Sequence, residues 1–191
     1  MFRIFNTLAS LSLFLMLAAV VLGLSIGDLY HQPSPETLHA RGIHMLTGVA
    51  AALAVVFVLS VVVTYFVGTS RWCKEVAETY QLDPKHVARS TALKRRTFFW
   101  AVMGMLTVVT IGALGAASDP GTGRQGTHAM APNHLAGALA GFAVIASIYY
   151  RAGQNIASNQ QVIRQVLAQV EEIRGQRGLE DPKAVVSSSD A

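Results

Sequence analysis

The chain has 191 residues, 52% of them hydrophobic and only 14% charged, with a formal net charge of +4. A soluble domain carries about 25% charged residues, so this balance, with a mean hydropathy of +0.41, argues against a soluble enzyme and for a membrane protein. A single cysteine excludes an intrachain disulfide scaffold.

Run length separates membrane spans from a merely apolar core, because about 20 mostly apolar residues are needed to cross roughly 30 Å of hydrocarbon. Four such runs occur in chain order, at about 4–26, 43–67, 98–117 and 135–150. The last is short and starts nearer Pro132, a favoured first-turn residue. None has Asp, Glu, Lys or Arg in its interior. The second run is rich in valine, but 25 residues is too long for a strand. In lipid the backbone must satisfy its own hydrogen bonds, so all four runs read as helices. The first run follows Arg3, as a signal peptide would. Its apolar stretch is longer than an h-region and no A-x-A site follows, so it reads as a retained span. The expected fold is an all-α membrane protein, a four-transmembrane-helix bundle occupying 1–150.

Basic residues set the expected orientation. Thirteen lie at the N-terminus, between the second and third runs, and after the fourth; only Arg41 and Arg124 lie on the other side. The positive-inside rule then puts both termini and the 68–97 loop in the cytoplasm of a cell (plasma or inner) membrane. Cys73 falls in that reducing compartment. The basic pI follows from this sorting and is not a nucleic-acid signal.

The 68–97 loop is long enough for two short helices. Trp72, Val76 and Tyr80 recur every four residues, and Asp83-Pro84 reads as an N-cap followed by proline at the first helical position. The second helix runs to about Arg96 and into the third span. After the fourth span, Ile156, Asn159, Ile163, Val166, Val170 and Ile173 fall on alternating steps of three and four, an a/d pattern over 151–178. That helix is expected to stop near Gly175 or Gly178. The 156–173 face and the 68–97 loop are the expected contacts for a membrane-complex partner, a second copy or each other. A polar tail at 179–191 is expected to be disordered.

The two halves echo one another. Leu38-His39-Ala40-Arg41-Gly42-Ile43-His44 ends in a span opening with Gly48, and Thr127-His128-Ala129-Met130-Ala131-Pro132-Asn133-His134 ends in one opening with Gly137. Both copies have the same topology, a parallel repeat. On a helix His44, Thr47, Gly48 and Ala51 share one face, as do His134, Gly137, Ala138 and Gly141. Gly137 and Gly141 form a small-x-x-x-small pair of the kind that brings membrane helices close.

Imidazole is the commonest biological metal ligand. His44 and His134 facing one another could hold one haem b iron, with Gly48 and Gly137 clearing the porphyrin. This arrangement resembles that of small four-helix membrane cytochromes of the b type, which implies electron transfer. Alternatively His39, His44, His128 and His134 could hold one Cu, Zn or Fe ion, with Asp119 as a further carboxylate. Against both stands the plainer reading of interfacial histidines and packing glycines. No nucleotide-loop, nucleophile-elbow, zinc-protease or C-x-x-C motif is present. The leading expectation is therefore a non-enzymatic membrane subunit or scaffold, with electron transfer at the paired histidines as the alternative.

Overall fold

A computed structural model describes residues 1–178; the tail expected over 179–191 lies outside the described residues. Four helices, each long and apolar enough to cross a membrane, form the architecture: α1 (Phe2–Leu24), α2 (Pro35–Tyr80), α3 (Lys85–Ser118) and α4 (Ala131–Gln176). Two short 3-10 turns, Pro120–Thr122 and Thr127–Met130, connect α3 to α4.

The helix ends follow from local chemistry. α2 begins well before its apolar run. Ser34 accepts the Thr37 N–H at 3.2 Å, Pro35 opens the first turn, and Glu36 sits at the positive end of the helix dipole. At its other end Gln81 takes the left-handed conformation at φ 55°, and the Leu82 N–H returns to the Ala77 carbonyl at 2.9 Å. Asp83 accepts the Lys85 N–H at 2.9 Å, but the expected cap is shifted by one residue: Pro84 is the N-cap, without a side-chain cap, and α3 begins at Lys85. Pro132 lies in the first turn of α4, as expected, and α4 stops between Gly175 and Gly178.

The first arm of the 68–97 hairpin is not a separate short helix. It is the unbroken continuation of α2, and α3 likewise runs straight into the third apolar segment. At 1.5 Å per residue, α2 and α4 are each about 69 Å long, more than twice the hydrocarbon thickness.

Around the bundle, α1 packs on α2 and α4, and α3 packs on the same two. α2 and α4 also meet across the middle, which leaves α1 and α3 at opposite corners. The main core gathers Phe5, Val55, Leu59, Val62, Phe66, Ala101, Ile145, Ile148 and Ile156. Gly137 and Gly141 pack against Leu114 and Ile111 of α3, so that small pair serves contacts within the chain. A second cluster, beyond the main one, joins Cys73, Ala77 and Leu82 to Val162 and Val166. Ile163, Val170 and Ile173 pack on it from α4, and Trp72, Val76 and Tyr80 from α2. The a/d face and the hairpin thus cover each other. On the outside, Leu46, Val49, Leu53 and Phe57 form an exposed apolar stripe along α2. Ile4, Leu11, Phe14, Leu17 and Val21 do the same on α1. Stripes of that size on a molecule in water would be a liability; in lipid they are the natural outer surface.

Candidate functional site at the loop end of the bundle

The α1–α2 and α3–α4 connections meet at one end of the bundle, and the paired histidines lie there. His44 on α2 and His134 on α4 stand across the central contact between those helices, ring centroids 6.2 Å apart and planes at 74°. Both side chains are half-buried.

Each ring is seated on a glycine of the preceding helix. A Cβ on Gly23 of α1 would lie 2.9 Å from His44 Cε1, and one on Gly115 of α3 would lie 3.1 Å from His134 Cε1. Any larger residue would push the rings. His44 Nδ1 lies 2.9 Å from the Ala19 carbonyl, four residues before Gly23. A carbonyl only accepts, so Nδ1 carries the proton and Nε2 the lone pair. In the second half His134 has no such carbonyl bond. Its Nδ1 is buried and unpartnered. The echo between the halves is therefore three-dimensional, and it extends to residues that the sequence motif did not include.

The other expected site residues sit elsewhere. Gly48 has no atom within 4 Å of where a Cβ would be, and Gly137 is filled by Leu114; neither carries a histidine ring. His39 is exposed. His128 packs edge-on against Tyr30, centroids 4.8 Å apart. Among the described residues no three His, Cys, Asp or Glu side chains gather as a metal-holding group. The structure thus brings together two of the four histidines.

Asp119 is committed to an ion pair. Arg41 donates from Nε to Oδ1 and from Nη2 to Oδ2, both at 2.7 Å. Bidentate pairing fixes geometry as well as charge. The Arg41 guanidinium, helped by the Gly121 N–H, holds the Asp119 carboxyl below its ordinary range. The carboxylate in turn raises Arg41. Arg41 occupies the space where a Gly121 side chain would be, so the turn needs glycine. Tyr30 donates to the Ser118 carbonyl at 2.9 Å, and burial pushes its own hydroxyl upward. Arg41 precedes His44 by three residues, so this polar cap lies about one helical turn beyond the histidine pair.

The decisive positions that the sequence reading did not assign to the site are Gly23, Gly115 and Arg41. A signal for two of them existed: each glycine closes the span before its histidine, at corresponding places in the echo. No family model, curated protein or solved structure matches the chain, so its class is set by architecture: an all-helical chain with four helices able to span a membrane.

Proposed function

We propose that the chain is a multi-pass protein of the cell membrane, with both termini and the hairpin in the cytoplasm, acting as a non-enzymatic subunit or scaffold. The observation that carries this reading is the helical stalk. Beyond the apolar segments, α2, α3 and α4 continue together, packed on the Cys73–Val162–Val166 cluster. The 13 residues of 68–80 and of 85–97 each extend about 20 Å, and those after 150 in α4 about 39 Å. A stalk of this length reaches past the headgroups, whose layer is about 5–8 Å thick on each side.

Arg89, Arg95, Arg96 and Arg164 are exposed on this stalk and join no ion pair among the described residues, while Arg71 and Lys74 pair with Glu75 and Glu78. The a/d face of α4 is turned to its own chain, which favours a different, acidic protein over a second copy as the partner. Two experiments test the reading. Reporter fusions should show the 119–130 loop outside and residue 176 inside; the reverse would overturn the orientation. A photo-crosslinker at the exposed Gln165, which lines the same groove as Arg89, should give one discrete protein adduct in native membranes, lost when Arg89 and Arg164 are both reversed to glutamate. Adducts to lipid alone would sink the docking role.

A further inference from the structure

We propose that His44 and His134 form the protein-derived half of a transition-metal centre, ligated by two neutral imidazoles on opposite sides of the metal. This goes beyond the scaffold reading and does not depend on it.

Three observations converge. The first is the ligand state of the rings. The Ala19 carbonyl fixes the proton of His44 on Nδ1, which leaves Nε2 as a lone-pair donor oriented by an outer partner, the usual arrangement of a metal-binding histidine. The Nδ1 of His134 is buried without a bond. A buried polar atom left unpaired costs about 1–3 kcal/mol.

The second is distance. With metal–nitrogen bonds of about 2.0–2.1 Å, two imidazoles on opposite sides of one metal have centroids roughly 6.3 Å apart, whereas a tetrahedral pair would be roughly 5.1 Å apart. The rings stand at 6.2 Å. The centroid separation matches the linear case.

The third is what does not gather there. No third His, Cys, Asp or Glu joins the pair among the described residues, and Asp119 is taken by Arg41. A structural zinc site uses four protein ligands. A centre with only two opposed protein ligands suits a metal that brings its other donors with it, as the iron of a haem does, or one content with two, as a cuprous ion is. The shared chemistry is one metal accepting two opposed imidazoles.

The test uses the full-length, tag-free protein in mild detergent, from cells supplied with haem precursor and iron and, separately, with copper and zinc. Absorbance and metal analysis are read on the same samples. A Soret band at near one haem per chain, lost at least tenfold in both His44→Ala and His134→Ala, identifies haem iron. No Soret band but near-equimolar metal, lost equally in both variants, identifies a bare ion. The His39→Ala/His128→Ala double variant should load like the wild type in either case. Helical circular dichroism and elution volume guard against misfolding, and His44→Gln, which keeps a polar group at the site, serves as a second variant. A colourless, metal-free preparation under both supplements overturns the proposal. So does loading that survives in either histidine variant, because opposed ligation needs both rings.

Discussion

Two polar clusters of the bundle, one around Asn159 and one around His44 and His134, treat their buried groups in opposite ways, although the hairpin end also holds an unpartnered buried nitrogen, His86 Nε2. At the hairpin end Asn159 is fully buried, and its amide is used completely. Its Nδ2 donates to Thr69 Oγ1 at 2.9 Å and to Tyr65 Oη at 3.2 Å, and its Oδ1 accepts from Ser90 Oγ at 3.3 Å. One turn away Asn155 donates to Thr97 at 2.9 Å. This ladder ties α2, α3 and α4 together where they leave the apolar segments. At the loop end two imidazoles stand close with one buried nitrogen unpaired. A network with all its bonds made specifies structure. A pair with an unpaired nitrogen leaves the demand for a hydrogen bond unmet.

The contrast breaks first at Asn159. Replacing it with alanine leaves Ser90, Tyr65 and Thr69 without their partner and opens a cavity. The expected loss is about 2–4 kcal/mol, read by unfolding in detergent titrated with SDS. His134→Ala, which removes no completed bond at Nδ1, should cost about 1 kcal/mol or less in the same assay. Equal losses would erase the distinction between the clusters.

This difference also marks where the sequence was legible. The four helices were, because a run of 20 apolar residues without a charge has few other fates. His44 and His134 were singled out by the repeated His–Gly spacing, but that they face one another entered only as the condition for a shared metal. The seats of the rings were not legible. Spacing along one helix names Gly48 and Gly137 as neighbours of the histidines, but the glycines that matter, Gly23 and Gly115, are set by the vertical register between helices. Intrahelical periodicity carries no information about that register. Asn159 was visible only as a polar interruption of a heptad; its three partners lie 69 to 94 residues away. The start of α2 was placed at the apolar run, although Ser34-Pro35-Glu36 already spelled a helix N-terminus eight residues earlier.

The next largest effect sharpens the loop end. Arg41→Ala leaves the Asp119 carboxylate, one-sixth exposed, with only the Gly121 N–H. A loss of about 1–2 kcal/mol at neutral pH is expected. The carboxyl is held below its ordinary value of 3.8, so its contribution is complete above that value and disappears as the pH falls through the lower, folded one. Below pH 3.8 the wild type should therefore converge on Arg41→Ala in stability. The Asn159→Ala difference should stay constant over the same range, since no group in that ladder titrates there.

The smallest effects separate a glycine that seats a ring from one that does not. A methyl group at Gly23 would meet His44 Cε1 at 2.9 Å, closer than side-chain atoms ordinarily approach, while one at Gly48 meets nothing within 4 Å. Gly48→Ala should change stability by less than about 1 kcal/mol, in the stabilising direction, because alanine is the better helix former. Gly23→Ala must turn the His44 ring, and the hydrogen bond to Ala19 lengthens with it. The stability cost is small, since a half-buried ring has room to move. Its signature lies in the ring itself: nitrogen-15 shifts of His44 should move from a fixed Nδ1–H tautomer towards the mixture of a free imidazole, with His134 unchanged. Gly48→Ala should leave both rings as they are. Had Gly48 been the seat, as its place on the His44 face suggests, the two substitutions would exchange these results.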